Sequence, residues 1–125
     1  MRSVTAMLFL LTASPATAET ALEMQSWCRP VANAQIRENG DILMPSNQET
    51  GFCWGAFAGI QDFVIWRNYD GTQILKLCVP FGATRLQLVK TFEKYVDDNP
   101  NIAHEPFTLV AVKAFVAAFP CANVR

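Results

Sequence analysis

The stretch Phe115-Val116-Ala117-Ala118-Phe119-Pro120-Cys121 ends an apolar segment with a cysteine, one of four in the 125-residue chain. The others are Cys28, Cys53 and Cys78. All four follow an N-terminal segment that has the features of an export signal, and cysteines of exported proteins commonly pair. The sequence therefore predicts a small domain cross-linked by two disulfides rather than a thiol enzyme or a zinc protein.

Residues 1–18 have the three parts of a cleaved signal peptide. Arg2 supplies a positive start, residues 4–12 are mostly apolar, and Ala16-Thr17-Ala18 forms a small-x-small cleavage site before Glu19. The apolar run is shorter than the roughly 20 residues that span a bilayer, so we expect no membrane insertion after cleavage. A buried N-terminal helix is the alternative, although packing gives no reason for the small-residue pattern. We expect a periplasmic mature domain of residues 19–125.

Hydrophobic periodicity predicts an all-α bundle of about four helices with a long loop after the first. The first helix covers residues 20–28 and should end before Pro30, which lacks a backbone N–H. Residues 31–51 are polar and form the long loop, with a possible small hairpin across Asn39-Gly40.

The remaining three helices differ in their polar faces. Residues 52–67 are apolar on nearly all sides, which predicts the central, buried helix. Thr84 and Gln87 have capping-box spacing and begin a helix that Asn99-Pro100 ends. On it, an apolar stripe is expected to face the core, and five charged residues are expected to face water: Arg85, Lys90, Glu93, Lys94 and Asp97. The last helix covers residues 106–119.

The helices of residues 52–67 and 106–119 lack a proper polar face, and a domain of this size cannot surround both. We therefore expect apolar surface to stay exposed and to contact a second copy in a homodimer, a partner protein, or both. The alternative is that the loop of residues 31–51 folds over one of these helices.

The disulfide pairing follows from the expected helix order. If successive helices run antiparallel, Cys28 at the end of the first helix lies beside Cys53 at the start of the second. Cys121 then returns to the start of the third helix, near Cys78. We predict Cys28 with Cys53 and Cys78 with Cys121, one of three possible connectivities.

The residues offer little for catalysis. His104 is the only histidine, and with every cysteine paired it has no thiol partner. No P-loop, dinucleotide-binding turn or metal-ligand spacing occurs, so we expect no enzyme activity, no metal and no cofactor. Ten Lys and Arg balance eleven Asp and Glu, and no basic run occurs, so nucleic acid is not an expected partner.

Three groups of residues resemble the Rap/Tai-type immunity proteins. Cys53-Trp54-Gly55-Ala56-Phe57-Ala58-Gly59-Ile60-Gln61-Asp62 is similar to their Cys-x-Gly-aromatic-x-x-Gly-x-x-Asp helix, with the aromatic displaced by one. Cys78-Val79-Pro80, followed by the capped helix, resembles their Cys-x-Pro segment. Tyr95-Val96, Asn99-Pro100, His104 and the ending Phe119-Pro120-Cys121 resemble their C-terminal part. The chain departs from the family in its long loop of residues 31–51 and in an extra aromatic turn within residues 66–77.

The resemblance implies an all-helical periplasmic protein, often a dimer, that binds and inhibits a peptidoglycan amidase toxin delivered by type VI secretion. Aromatic side chains in exposed turns are natural anchors, so we expect contact with the toxin at Trp66, Tyr69 and the Asp70-Gly71 turn. Residues 38–41 are the second choice. For each residue the alternative is ordinary packing or solvation. The alternative function is a periplasmic helical binding or chaperone-like module without a cognate toxin.

Overall fold

The structure is a computed structural model that describes residues 18–64, 66, 70–73 and 75–121. This part of the chain has four α-helices, one short 3-10 helix and one two-stranded hairpin, which confirms the predicted all-α bundle. The helices are α1 (Ala21–Ala32), α2 (Gln48–Val64), α3 (Arg85–Asp98) and α4 (Phe107–Ala118), and the 3-10 helix is Pro100–Ile102. Strands β1 (Gln35–Ile36) and β2 (Ile42–Leu43) pair antiparallel.

Helix α1 runs past Pro30, so the prediction that this proline ends the helix is wrong. The helix begins at a capping box between Thr20 and Glu23 and continues to Ala32. Pro30 removes one helical hydrogen bond, but Val31, the next residue, is completely buried in the core. The burial of Val31 offsets the missing bond, and the helix therefore ends two residues after the proline.

Helix α2 begins at Gln48, four residues before the predicted start. Asn47 causes the earlier start, because its side-chain oxygen accepts a hydrogen bond from the backbone N–H of Thr50 at 2.9 Å. The loop after α1 is consequently shorter than predicted, and the possible hairpin within it is present. Gly40 adopts the positive φ of 88° that its turn requires. The helix ends at Val64, and Arg67, its predicted last residue, lies outside the described residues.

Helix α2 is not the central helix that the sequence predicted, because α1 and α3 are the helices that pack against all three others. Helix α3 packs against all three other helices, and its Leu88, Val89 and Phe92 are fully buried. Helix α2 buries Cys53 and Phe57 but leaves Phe52 and Phe63 exposed. Apolar composition alone is a poor guide to position here, because so small a bundle has too few elements to cover every apolar face.

Four phenylalanine rings fill the centre of the bundle. Phe57 of α2 lies 5.6 Å from Phe92 of α3 and 5.5 Å from Phe107 of α4, measured between ring centroids. Phe107 and Phe92 are 5.2 Å apart in an edge-on arrangement, and Phe115, about two turns further along α4, contacts Phe57. These tilted contacts connect three helices through one aromatic cluster.

Both disulfides have the pairing that the helix order predicted. Cys28 of α1 is bonded to Cys53 of α2, and Cys78 is bonded to Cys121 after α4. The first bridge is completely buried, whereas Cys78 and Cys121 are exposed at the surface. Two cross-links therefore hold the bundle, one inside the core and one at its edge.

Candidate partner-binding surface

The predicted toxin contact falls on the connection between α2 and α3. Trp66 is 60% exposed, and its ring lies 6.0 Å from that of Phe63, which is also exposed. Asp70 forms a turn in which its carboxylate accepts hydrogen bonds from the backbone N–H and the hydroxyl of Thr72, and these bonds lower its pKa. Tyr69 lies outside the described residues. Trp66 and Asp70 are thus accessible, and their contact with a toxin stays a prediction.

The second predicted contact, residues 38–41, is the exposed turn of the hairpin. Asn39 donates a side-chain hydrogen bond to Asp41 at 2.7 Å, and the backbone N–H of Arg37 donates to the carbonyl of Asp41 at 2.8 Å. The turn is held by its own hydrogen bonds, and its role in binding also stays a prediction.

A shallow apolar groove runs between α2 and α4. We call it the α2–α4 groove; its volume is about 470 Å³, and it is lined by Ala56, Gly59, Ile60, Phe63, Val64, Phe107, Thr108, Ala111 and Val112. Thr108 is the one lining residue with a polar side chain. A Cβ built at Gly55 or Gly59 would meet no atom within 4 Å, so no other described part of the chain packs closely against these glycines. The predicted exposed apolar surface is therefore present.

The turn of residues 80–83 carries the most exposed large apolar side chain of the described residues. We call it the Phe81 turn: the backbone N–H of Ala83 donates to the carbonyl of Pro80 at 2.9 Å, and Phe81 at its tip is 93% exposed. Phe81 is not among the contacts that were predicted from the sequence. The available signal was a Pro-Phe-Gly sequence between a disulfide cysteine and a helix cap.

A polar cluster that is partly buried joins α1 to α3. The prediction that Glu93 faces water is wrong, because Glu93 is almost fully buried and its Oε2 lies 3.2 Å from Nε of Arg29. Arg29 also donates two hydrogen bonds of 2.9 Å to Asp97, and Gln25 donates a third to the same carboxylate. Burial raises the pKa of Glu93 to about 7, and Arg29 lowers that of Asp97. Gln25 and Arg29 are four residues apart on α1, as are Glu93 and Asp97 on α3, and this matched spacing was the missed signal.

His104 is exposed in the turn before α4. Within the described ranges, no three His, Cys, Asp or Glu side chains come together in a group that could hold a metal ion. In the same ranges, no helix is long and apolar enough to cross a membrane.

Comparison with known proteins gives one match. Neither the curated proteins nor the solved structures include a significant match to the chain. A family model described as Rap1a immunity proteins matches residues 41–121, a segment that contains α2, α3, α4, the α2–α4 groove and the Phe81 turn. Immunity proteins act by binding a toxin rather than by catalysis. Because the match covers well over half of the sequence, the chain belongs to the Rap1a immunity protein family.

Proposed function

We propose that this protein is a periplasmic immunity protein that binds and inhibits a peptidoglycan amidase toxin delivered by type VI secretion. The family match over residues 41–121 is the observation that carries this function. The exposed aromatic and apolar side chains support it, because a bundle fixed by two disulfides presents them in a constant arrangement. A preordered surface loses little conformational entropy on binding, which favours high affinity.

Inhibition would follow from occlusion of the toxin's cleft. Trp66, Tyr69 and Asp70 are the first proposed contacts. The exposed ring of Trp66 can supply anchoring and the hydrogen-bonded turn at Asp70 orientation, and Tyr69 is proposed from its place beside that turn in the sequence. The hairpin turn of residues 38–41 is the second. Neither contact requires a reactive group on this chain.

The proposed compartment is the periplasm, reached through a signal peptide of residues 1–18 that leaves a mature domain of residues 19–125. Two disulfides support an oxidising environment, because thiols of cytosolic proteins are kept reduced. The mature domain would work there without membrane insertion, as the target of the proposed amidase is the cell wall.

We also propose a homodimer that buries the α2–α4 groove. The lining is almost wholly apolar, and the one charged residue in α4, Lys113, already pairs with Glu105. A second copy could therefore approach this face without opposing like charges or leaving a cation unpaired. The rest of the surface, including the Phe81 turn, would stay available to the toxin.

Co-expression tests the proposed function. The toxin gene expected beside the gene for this chain is expressed with a periplasmic export signal, alone and together with this chain. We expect lysis in the first case and normal growth in the second, and a version of this chain without residues 1–18 should give no protection. Lysis that this chain never relieves would contradict immunity, and affinity for many denatured proteins would instead support the chaperone-like alternative.

A further inference from the structure

We propose that Phe81 is the apolar anchor with which this chain enters an acid-rimmed, concave site on its toxin. This inference rests on the proposed function and names the surface that performs it. The Phe81 turn would contribute more to binding than the exposed residues Trp66 and Asp70.

Exposure of Phe81 has no explanation in the packing of the monomer. The next most exposed large apolar side chain, that of Ile36, is 62% exposed, against 93% for Phe81. Its apolar surface stays in contact with water, and the ring takes no part in the hydrophobic core. Large aromatic side chains of this kind are common at the energetic centre of protein interfaces.

Contacts from several parts of the bundle hold the backbone of the Phe81 turn. Gln61 of α2 donates a side-chain hydrogen bond to the carbonyl of Ala83 at 3.1 Å. The backbone N–H of Cys78 donates to the carbonyl of Phe119 at 3.2 Å, beside the disulfide from Cys78 to Cys121. Immediately after the turn, the capping box of Thr84 begins α3. These contacts hold the backbone of the Phe81 turn in place. The turn therefore loses little conformational entropy when a partner binds.

The charged residues near the turn in sequence have one sign. Between Gly71 and Thr91 the sequence contains Lys76, Arg85 and Lys90 and no acidic residue, although the whole chain has a net charge of −1. Lys90 lines the hollow beside Pro80 and Gly82, and the guanidinium of Arg85 lies 4.7 Å from the centre of the Trp54 ring. A partner that fits this surface has an apolar pocket for one phenyl ring and carboxylates on its rim.

A protein cleft fits these observations better than two other occupants. A second copy that docked turn against turn would bring Lys76, Arg85 and Lys90 against their own equivalents. An anionic membrane would match the charges, but interfacial binding uses a broad apolar face, whereas this turn presents a single exposed aromatic ring. The occupant is therefore a concave protein site.

The test measures affinity of the oxidised chain for a catalytically inactivated form of the amidase encoded beside it, by calorimetry or biolayer interferometry. We expect Phe81→Ala to weaken binding about 30-fold while leaving the melting temperature unchanged, since the ring makes no core contact. Lys90→Glu should slow association about fivefold, with a weaker salt dependence than the parent. Ser26→Glu, which adds a negative charge at an exposed position of α1 outside the proposed contacts, is the control and should alter affinity less than about twofold.

Each outcome decides one claim. If the parent fails to bind the amidase, the proposed function fails and the role of Phe81 fails with it. If the parent binds and Phe81→Ala binds equally well, only the role of Phe81 is overturned. Phe81-dependent binding to phosphatidylcholine vesicles containing phosphatidylglycerol, with amidase affinity unchanged in the variant, would overturn it in favour of a membrane.

Discussion

Nε of Arg29 on α1 lies 3.2 Å from Oε2 of Glu93 on α3, and the Glu93 side chain is only 5% exposed. Neither carboxylate oxygen of Glu93 accepts a hydrogen bond from a described residue. The attraction between the two charges therefore does not fully offset the free-energy cost of removing the Glu93 carboxylate from water. The contact makes the packing of α1 on α3 sensitive to pH.

Glu93 should lower the stability of the fold as pH rises through neutrality. Burial raises its pKa from 4.5 to about 7, so the folded chain binds this proton more tightly than the unfolded chain does. The contribution of Glu93 to the free energy of unfolding is therefore complete below pH 4.5 and is lost as the pH rises through 7. Between pH 5 and pH 8 we expect the free energy of unfolding to fall by about 2 kcal/mol because of this group.

Denaturant unfolding of Glu93→Gln at both pH values measures this contribution. The amide resembles the protonated carboxyl, so most of the decrease should disappear, and the variant should be more stable than the parent at pH 8. Glu38→Gln, the same change on the exposed hairpin, is the control. Identical pH profiles for the parent and Glu93→Gln would contradict the raised pKa.

Loss of Arg29 should matter more at high pH than at low pH. In Arg29→Met a charged Glu93 has no opposite charge beside it, and we expect a destabilisation of about 2 to 3 kcal/mol at pH 8. At pH 5 the protonated Glu93 needs no partner, so the destabilisation should be smaller. Asp97→Asn, at the exposed carboxylate that pairs with Arg29, should change stability much less than Arg29→Met does at pH 8. An equal destabilisation by Arg29→Met at both pH values would count against the buried ion pair.

The two disulfides should differ in their response to a mild reductant. Cys28 and Cys53 are completely buried, whereas Cys78 and Cys121 are exposed. Limiting dithiothreitol on the folded protein should release Cys78 and Cys121 first, because thiol attack requires access to a sulfur atom. Alkylation followed by peptide mass mapping identifies the order, and the same map of the unreduced protein checks both pairings. Earlier alkylation of Cys28 would contradict the buried position of that bridge.

Removal of the exposed bridge alone tests its contribution to stability. The double variant Cys78→Ser with Cys121→Ser should lose at most about 4 kcal/mol, since the bridge closes a long segment of the unfolded chain. Thermal or denaturant unfolding of the variant, compared with the parent under oxidising conditions, gives the value. A variant as stable as the parent would show that this bridge contributes nothing to the fold.

A charge placed in the α2–α4 groove should separate the proposed dimer. Phe63 lines the groove, so Phe63→Glu would leave an unpaired carboxylate in an apolar interface. We expect light scattering coupled to size-exclusion chromatography to give a dimer for the parent and a monomer for Phe63→Glu. Leu22→Glu, at an exposed apolar residue of α1 outside the groove, is the control and should remain dimeric. A monomeric parent at micromolar concentration would contradict the dimer.

The features predicted correctly from the sequence depend on local chemistry or on helix order. The capping box at Thr84 requires only residues three apart, and the disulfide pairing requires only that neighbouring helices run antiparallel. The wrong predictions depend on tertiary contacts. Val31 is buried in the core, so α1 continues past Pro30. Glu93 is buried beside Arg29 of another helix and does not face water.

For the candidate surfaces, too, local chemistry was predicted correctly and tertiary contacts were not. Apolar composition correctly predicted exposed apolar surface. It wrongly placed α2 at the centre, where α1 and α3 contact all three other helices, since helical periodicity does not tell which neighbours cover a face. Phe81 was overlooked because an isolated phenylalanine in a turn is equally consistent with a buried side chain. Gln61 and the disulfide at Cys78 hold the backbone on either side of the turn, and these tertiary contacts are not visible in the local sequence.

Inhibition of the amidase in solution tests the central claim most directly. Release of peptides from purified peptidoglycan is followed with the amidase encoded beside this chain, while the oxidised chain is added in increasing amounts. We expect activity to fall linearly to zero at one chain per amidase, as tight binding that occludes the cleft requires. Full activity in the presence of excess chain would contradict its assignment as the immunity protein for this toxin.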